Sequence, residues 1–95
     1  MLNVYIAETI GTFVFLIIIL TNDSPVMIAV ALLVGILIAT IASQGHLNPA
    51  VSIMEYMNGK IDNNELCGYI SAQLVGVILA LAWYKYGKSK KHFQI

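Results

Sequence analysis

Apolar residues fill the first 42 positions of the chain almost without interruption. One run, Val4–Leu20, is divided from a second, Val26–Ala42, only by Thr21-Asn22-Asp23-Ser24-Pro25, and a third occupies about 65–86, with its core at Leu66–Tyr84. A hydrocarbon layer about 30 Å thick needs about 20 helical residues to cross, with a lower limit near 17. Each run therefore predicts a transmembrane helix. In the short break, Asp23 or Ser24 suits the N-cap of the second helix and Pro25 its first position, where a missing N–H costs nothing. The first two spans are expected to form a tight hairpin.

The second connection, Ser43–Asn64, is too apolar for an aqueous loop. Asn48 can cap a helix that opens with Pro49, continues through Ala50–Met57 and stops at Asn58-Gly59. A helix over about 48–58 is roughly 15 Å long at 1.5 Å per residue. That is half a bilayer, which predicts a re-entrant segment. Asp62, followed three residues later by Glu65, reads as a capping box for the third span. The expected fold is an all-α membrane protein of three transmembrane helices and one re-entrant half-helix, in a single domain over 1–95 with a tail at 87–95.

Small residues recur at helical spacing in every span: Ala7 and Gly11, then Ala31, Gly35 and Ala39, then Gly68, Ala72, Gly76 and Ala80. Lipid gives helices no hydrophobic reason to associate, so rows of this kind act by letting backbones approach closely. A compact bundle packed through these positions is expected.

Composition sharpens the membrane reading, with 59% hydrophobic and 11% charged residues and a formal net charge of zero. The charges are segregated: Glu8 and Asp23 stand alone before residue 55, whereas Lys85, Lys88, Lys90 and Lys91 crowd the C-terminal end. Lysines beside a span fit anionic lipid headgroups and do not point to nucleic acid. Cys67 is the sole cysteine, so no intrachain disulfide is available. The N-terminal run has no Lys or Arg before it and no small-x-small cleavage site after it, so it reads as a retained span. No nucleophile, metal cluster or phosphate loop is present, which argues against an enzyme and implies no cofactor and no metal.

A few polar residues break the apolar pattern where they are costly. Glu8 and Gln73 fall inside spans, where a charge at mid-bilayer costs at least about 2.5–3.5 kcal/mol on insertion scales. The turn Ser43–Leu47 has the complementary problem, because irregular backbone at membrane depth is tolerated only against protein or water. Glu8 and Gln73 are expected to brace that turn, with direct contact between Glu8 and a permeating molecule as the alternative. His46, whose unperturbed pKa is about 6.5, reads either as a proton carrier or, with more weight, as a hydrogen-bonded structural residue whose carbonyl joins a pore wall. A half-helix starting at mid-membrane aims its free N–H groups and positive dipole end at the centre, and Asn48 adds an amide donor. Such a site favours a neutral molecule with an oxygen lone pair and repels cations. Water and small polyols fit.

Three motifs in order, AETIGTF at 7–13, HLNPAVS at 46–52 and AQLVG at 72–76, resemble one half of an aquaporin or glycerol facilitator of the major intrinsic protein family. The resemblance implies a re-entrant half-helix at Asn48-Pro49-Ala50, Asn48 donating to permeating water, carbonyls around Gln44, Gly45 and His46 forming a ladder, and Glu8 bracing the loop. Family members carry two such halves in inverted orientation. A single half therefore implies assembly of two copies, most simply an antiparallel homodimer, and four such dimers would reproduce the family's tetramer. The chain also departs from the pattern. Val51 stands where the family's second motif is followed by a filter arginine, and the chain has no arginine; the second-helix filter position falls on Ile28 or Val34 according to how the helix is matched. All three are apolar, implying a less cationic constriction. Gln44 replaces a usual glycine. The lysine bias, Lys60 on one side and four on the other, predicts an inward C-terminus, as in the second half of the family fold, although the pore motif is similar to the first.

The expected function is a passive channel for water and small neutral solutes such as glycerol, in a multi-pass protein in contact with the lipid bilayer. The alternative is a non-conducting membrane interaction protein that pairs with a related channel; an inactive fragment is a third reading.

Overall fold

The computed structural model describes the backbone of residues 2–93 and the side chains of 3–87. Four helices follow one another: α1 (Leu2–Thr21), α2 (Pro25–Ala39), α3 (Pro49–Met57) and α4 (Asn63–Phe93). The described residues contain no strand. Two helices, α1 over Asn3–Thr21 and α4 over Asn63–Gly87, are long and apolar enough to cross a membrane, and α2 is a shorter apolar helix. The side chains of Lys88, Lys90 and Lys91, expected at the headgroups, lie outside the described residues.

The helix ends follow local chemistry. Ser24 is the cap of α2, its hydroxyl accepting from the Met27 N–H at 3.4 Å, with Pro25 at the first position. α2 closes three residues before the end of its apolar run. There the ladder tightens, with Ile41 N–H donating to Ile38 O and Ala42 N–H to Ala39 O, each at 3.2 Å. Ser43 then directs both its N–H (2.8 Å) and its hydroxyl (2.9 Å) to the Ala39 carbonyl. At 15 residues α2 measures only about 22 Å. α4 begins earlier than its apolar run because Asp62 and Glu65 cap it reciprocally, at 3.0 and 2.8 Å. It also runs on to Phe93, well past the apolar positions, for a length of about 46 Å.

α1 is the central element, packed against both α2 and α4, while α3 packs against α4. The contacts run through small residues. Ala31, Gly35 and Ala39 form the buried face of α2. A Cβ on Gly11 would stand 2.5 Å from the Gly35 carbonyl oxygen, and one on Gly35 would stand 2.8 Å from that of Gly11. The helices thus touch backbone to backbone at this crossing. On the other side of α1, a Cβ on Gly76 would meet Thr12 at 2.9 Å, and the Thr9 hydroxyl donates across to the Ala72 carbonyl at 3.2 Å. Gly68 makes room for the ring of Tyr5. Large apolar side chains point away from these seams: Leu33, Leu37 and Ile78 are each more than half exposed, as lipid-facing residues are.

Gly11→Ala or Gly35→Ala is expected to force α1 and α2 apart and lower stability by about 1–3 kcal/mol, the usual cost of overpacking. Unfolding in detergent micelles followed by circular dichroism measures the change; unaltered midpoints would show that this crossing does not set the packing.

Candidate functional site

The functional side chains gather where the connection after α2 meets the inner faces of α1 and α4. Two residues give this connection its shape, Gly45 with φ of 66° and Leu47 with φ of 56°. Glycine adopts that conformation freely, whereas for leucine it is strained. Leu47 is held there from both ends. Its side chain is buried and reaches the Gly11/Gly35 crossing, its methyl groups 3.1 and 2.8 Å from where a Cβ on each glycine would be. Its N–H donates to Glu8 Oε2 in a very short hydrogen bond.

Glu8, on α1, is fully buried and accepts four donors. Oε1 takes the Ser43 hydroxyl at 3.1 Å and the His46 N–H at 3.2 Å; Oε2 takes the Leu47 N–H and, at 3.2 Å, Gln73 Nε2 from α4. The carboxylate therefore pairs two backbone donors of the irregular turn that no helix could satisfy, and the turn satisfies the carboxylate. Gln73, equally buried, also donates from Nε2 to Ser52 Oγ on α3 at 3.0 Å. Its Oε1 and the Thr12 hydroxyl have no partner among the described residues.

His46 is enclosed by the same cluster. Nδ1 lies 2.8 Å from Ser52 Oγ and Nε2 lies 3.1 Å from Gln44 Oε1. The ring stacks on Tyr69 with centroids 4.0 Å apart and planes 20° from parallel. The Tyr69 hydroxyl accepts the Gln44 N–H at 3.1 Å, and Tyr5 meets the Tyr69 ring edge-on.

Asn48 caps α3, its Oδ1 accepting the Ala50 N–H at 2.8 Å. The side chain is exposed, and its amide NH2 makes no hydrogen bond among the described residues. Nor, among those residues, does any donor reach the carbonyls of Gln44, Gly45 or His46. Pro49 and Ala50 are exposed at the helix start and Val51 is half-buried. Ile28 and Val34 lie on α2, the first half-buried and the second exposed, and neither belongs to the cluster. Gly68, Ala72, Gly76 and Ala80 lie along α4, the last three buried.

Ser52 and Tyr69 are participants that the sequence does not single out, and Ser43 and Leu47 stand out there only as the ends of the turn. For Tyr69 a signal existed, since it precedes Gln73 by four residues and so shares its helix face. Ser52 is the buried residue of α3, one turn into the helix, whereas Asn48 is its extended cap and stays exposed.

The family model for the major intrinsic protein family matches residues 1–93. A relative in Lactiplantibacillus plantarum, described as a glycerol uptake facilitator protein-like 6, is 39% identical over 93 residues. The match covers 85% of this chain and 42% of that protein, so the chain spans less than half the length of the relative. No solved structure matches with significance. The apolar helices and the family match define an integral membrane protein. The chain belongs to the major intrinsic protein family.

Glu8→Gln is expected to set an amide NH2 against the donors of Leu47 or His46 and lower stability by about 1.5–3 kcal/mol, the worth of one hydrogen bond to a charged group. Faster hydrogen exchange at the His46 and Leu47 amides, with the α1 core amides unchanged, would locate the loss in the turn; equal exchange in both proteins would refute the bracing role.

Proposed function

We propose that this chain forms half of a passive membrane channel for water and small neutral solutes such as glycerol. In this reading α1, α2 and α4 cross the bilayer and α3 is a re-entrant half-helix. Its nine residues measure about 14 Å, close to half of a hydrocarbon layer of about 30 Å. α2 with its following turn serves as the shortest span. No reaction chemistry is assigned, because the Ser43 and Ser52 hydroxyls and the His46 ring are hydrogen-bonded within the cluster.

The observation that carries the proposal is the state of the loop's polar atoms. Every N–H from Gln44 to Leu47 is bound by a protein acceptor, while three successive carbonyls have no protein donor and the Asn48 amide NH2 no protein acceptor among the described residues. Unpaired backbone at membrane depth requires water. A row of acceptors ending at a donor, beside the positive end of α3, suits a file of neutral hydroxyl-bearing molecules and disfavours cations. Glu8 and Gln73 act in this reading as braces, and His46 as a packed wall.

A second half must close the pore, and α3 offers a surface for it. Ala50, Ile53, Met54 and Met57 recur at helical spacing, are all exposed and, with Asn58, line a hollow of about 650 Å³. We assign this face to an opposing half-helix, with an antiparallel second copy as the simplest source and a tetramer of such dimers as the larger assembly. Val51 with one α2 residue, Ile28 or Val34, then presents an apolar constriction, which favours solutes larger than water alone. The same hollow supports a second reading, a non-conducting partner that docks on a full-length relative through α3.

Vesicles containing only this purified chain are expected to swell osmotically faster than lipid alone. Asn48→Asp keeps a good helix cap but replaces the amide donor with a carboxylate, and is expected to slow water flux about tenfold, equivalent to about 1.4 kcal/mol on the barrier. Permeability at the lipid background removes the channel reading and leaves the docking one. Tagging the termini from both sides tests the antiparallel pair, which requires both orientations in one membrane.

A further inference from the structure

Gln44 is the departure from the family pattern that the site makes use of, and its role follows from the direction of the hydrogen bonds around it. Glu8 accepts from Gln73 Nε2, and the same nitrogen donates to Ser52 Oγ. The Ser52 hydroxyl proton is then free to point at His46 Nδ1, 2.8 Å away. That makes Nδ1 the acceptor and Nε2 the protonated nitrogen of a neutral imidazole. Nε2–H donates to Gln44 Oε1 at 3.1 Å. With its oxygen turned inward to His46 and its main-chain N–H held by Tyr69, the exposed Gln44 side chain turns its NH2 group outward. That group has no partner among the described residues.

We propose that Gln44 is a specificity-determining residue of the channel: its carboxamide ties off His46 and presents, in place of the imidazole edge, an amide donor on the loop that ends in the Asn48 amide. The inference rests on the conduction reading above. A permeating molecule meets two amide donors four residues apart, one at each end of the row of free carbonyls. Both His46 nitrogens are occupied and its ring is covered by Tyr69, so the imidazole neither contacts solute nor carries protons. A polyol, with several hydroxyl oxygens to offer, gains more from the second donor than a single water molecule does.

The test uses the full chain in lipid vesicles, with Gln44→Met (similar length, no hydrogen bond) and Gln44→Ala. Solution or solid-state nitrogen NMR reads the tautomer of His46 directly. The wild type is expected to show a protonated Nε2 and an accepting Nδ1, and both variants a shifted Nε2 signal. Glycerol and water permeabilities measured on the same vesicles are expected to show the glycerol-to-water ratio of Gln44→Met falling about fivefold, within the range of one net hydrogen bond. A wild type that conducts while both variants keep its His46 signals, or while Gln44→Met keeps its solute ratio, overturns the role of Gln44 alone. A wild type that does not conduct overturns the channel reading and the specificity role with it, whatever the NMR signals show. Gln44→Asn, which keeps the amide but shortens its reach, separates loss of the contact from a general disturbance of the loop: its ratio is expected between those of the wild type and Gln44→Met, and a ratio at or below that of Gln44→Met overturns the proposal.

Discussion

One buried carboxylate holds the structure together. Glu8 sits on the central helix with no solvent exposure and four donors around it, drawn from the turn after α2 and from α4. A carboxylate in an apolar interior is costly unless it is paired, and a buried turn with unpaired N–H groups is costly for the same reason. Neither is stable without the other. Because the donors come from the chain before α3 and from the helix after it, satisfying one side chain fixes where α3 starts and which way it leaves.

The glycine crossing supplies the room that this arrangement needs. With Gly11 and Gly35 in backbone contact, Leu47 can reach the same crossing and anchor a turn whose φ angle its own side chain disfavours. Hydrogen bonding orients the turn, and close packing keeps it from relaxing. On the opposite side of α1, Thr12 against Gly76 and Thr9 on the Ala72 carbonyl place α4 so that Gln73 and Tyr69 both face the turn. The polar cluster therefore depends on small residues that carry no polarity themselves.

Much of this was legible along the chain, and for identifiable reasons. The all-helical class and the membrane setting follow from apolar runs long enough to span lipid, and the small-residue rows from their four-residue spacing. That Glu8 and Gln73 would need polar partners follows from their place inside those runs. Which side chains join them was not legible, because Ser43, Ser52 and Tyr69 look ordinary in sequence and meet the rest only when residues 21 to 65 positions apart are brought together. The apolar pattern runs on past the end of α2 through Ile41 and Ala42, while the hydroxyl of Ser43 turns the chain back onto Ala39. At the end of α4 hydropathy falls before helicity does, so the helix outlasts its apolar run. Gln44 was visible only as an unusual residue; its contact with His46 is a property of the folded turn.

The pairing of Glu8 with Gln73 joins residues 65 positions apart, and this has a consequence for biogenesis. When α1 first leaves the ribosome and partitions into the bilayer, its acidic group has none of these donors, since the turn and α4 have yet to be synthesised. The nascent hairpin must therefore wait, with that group hydrated or shielded by the insertion machinery, until α4 arrives to seal it.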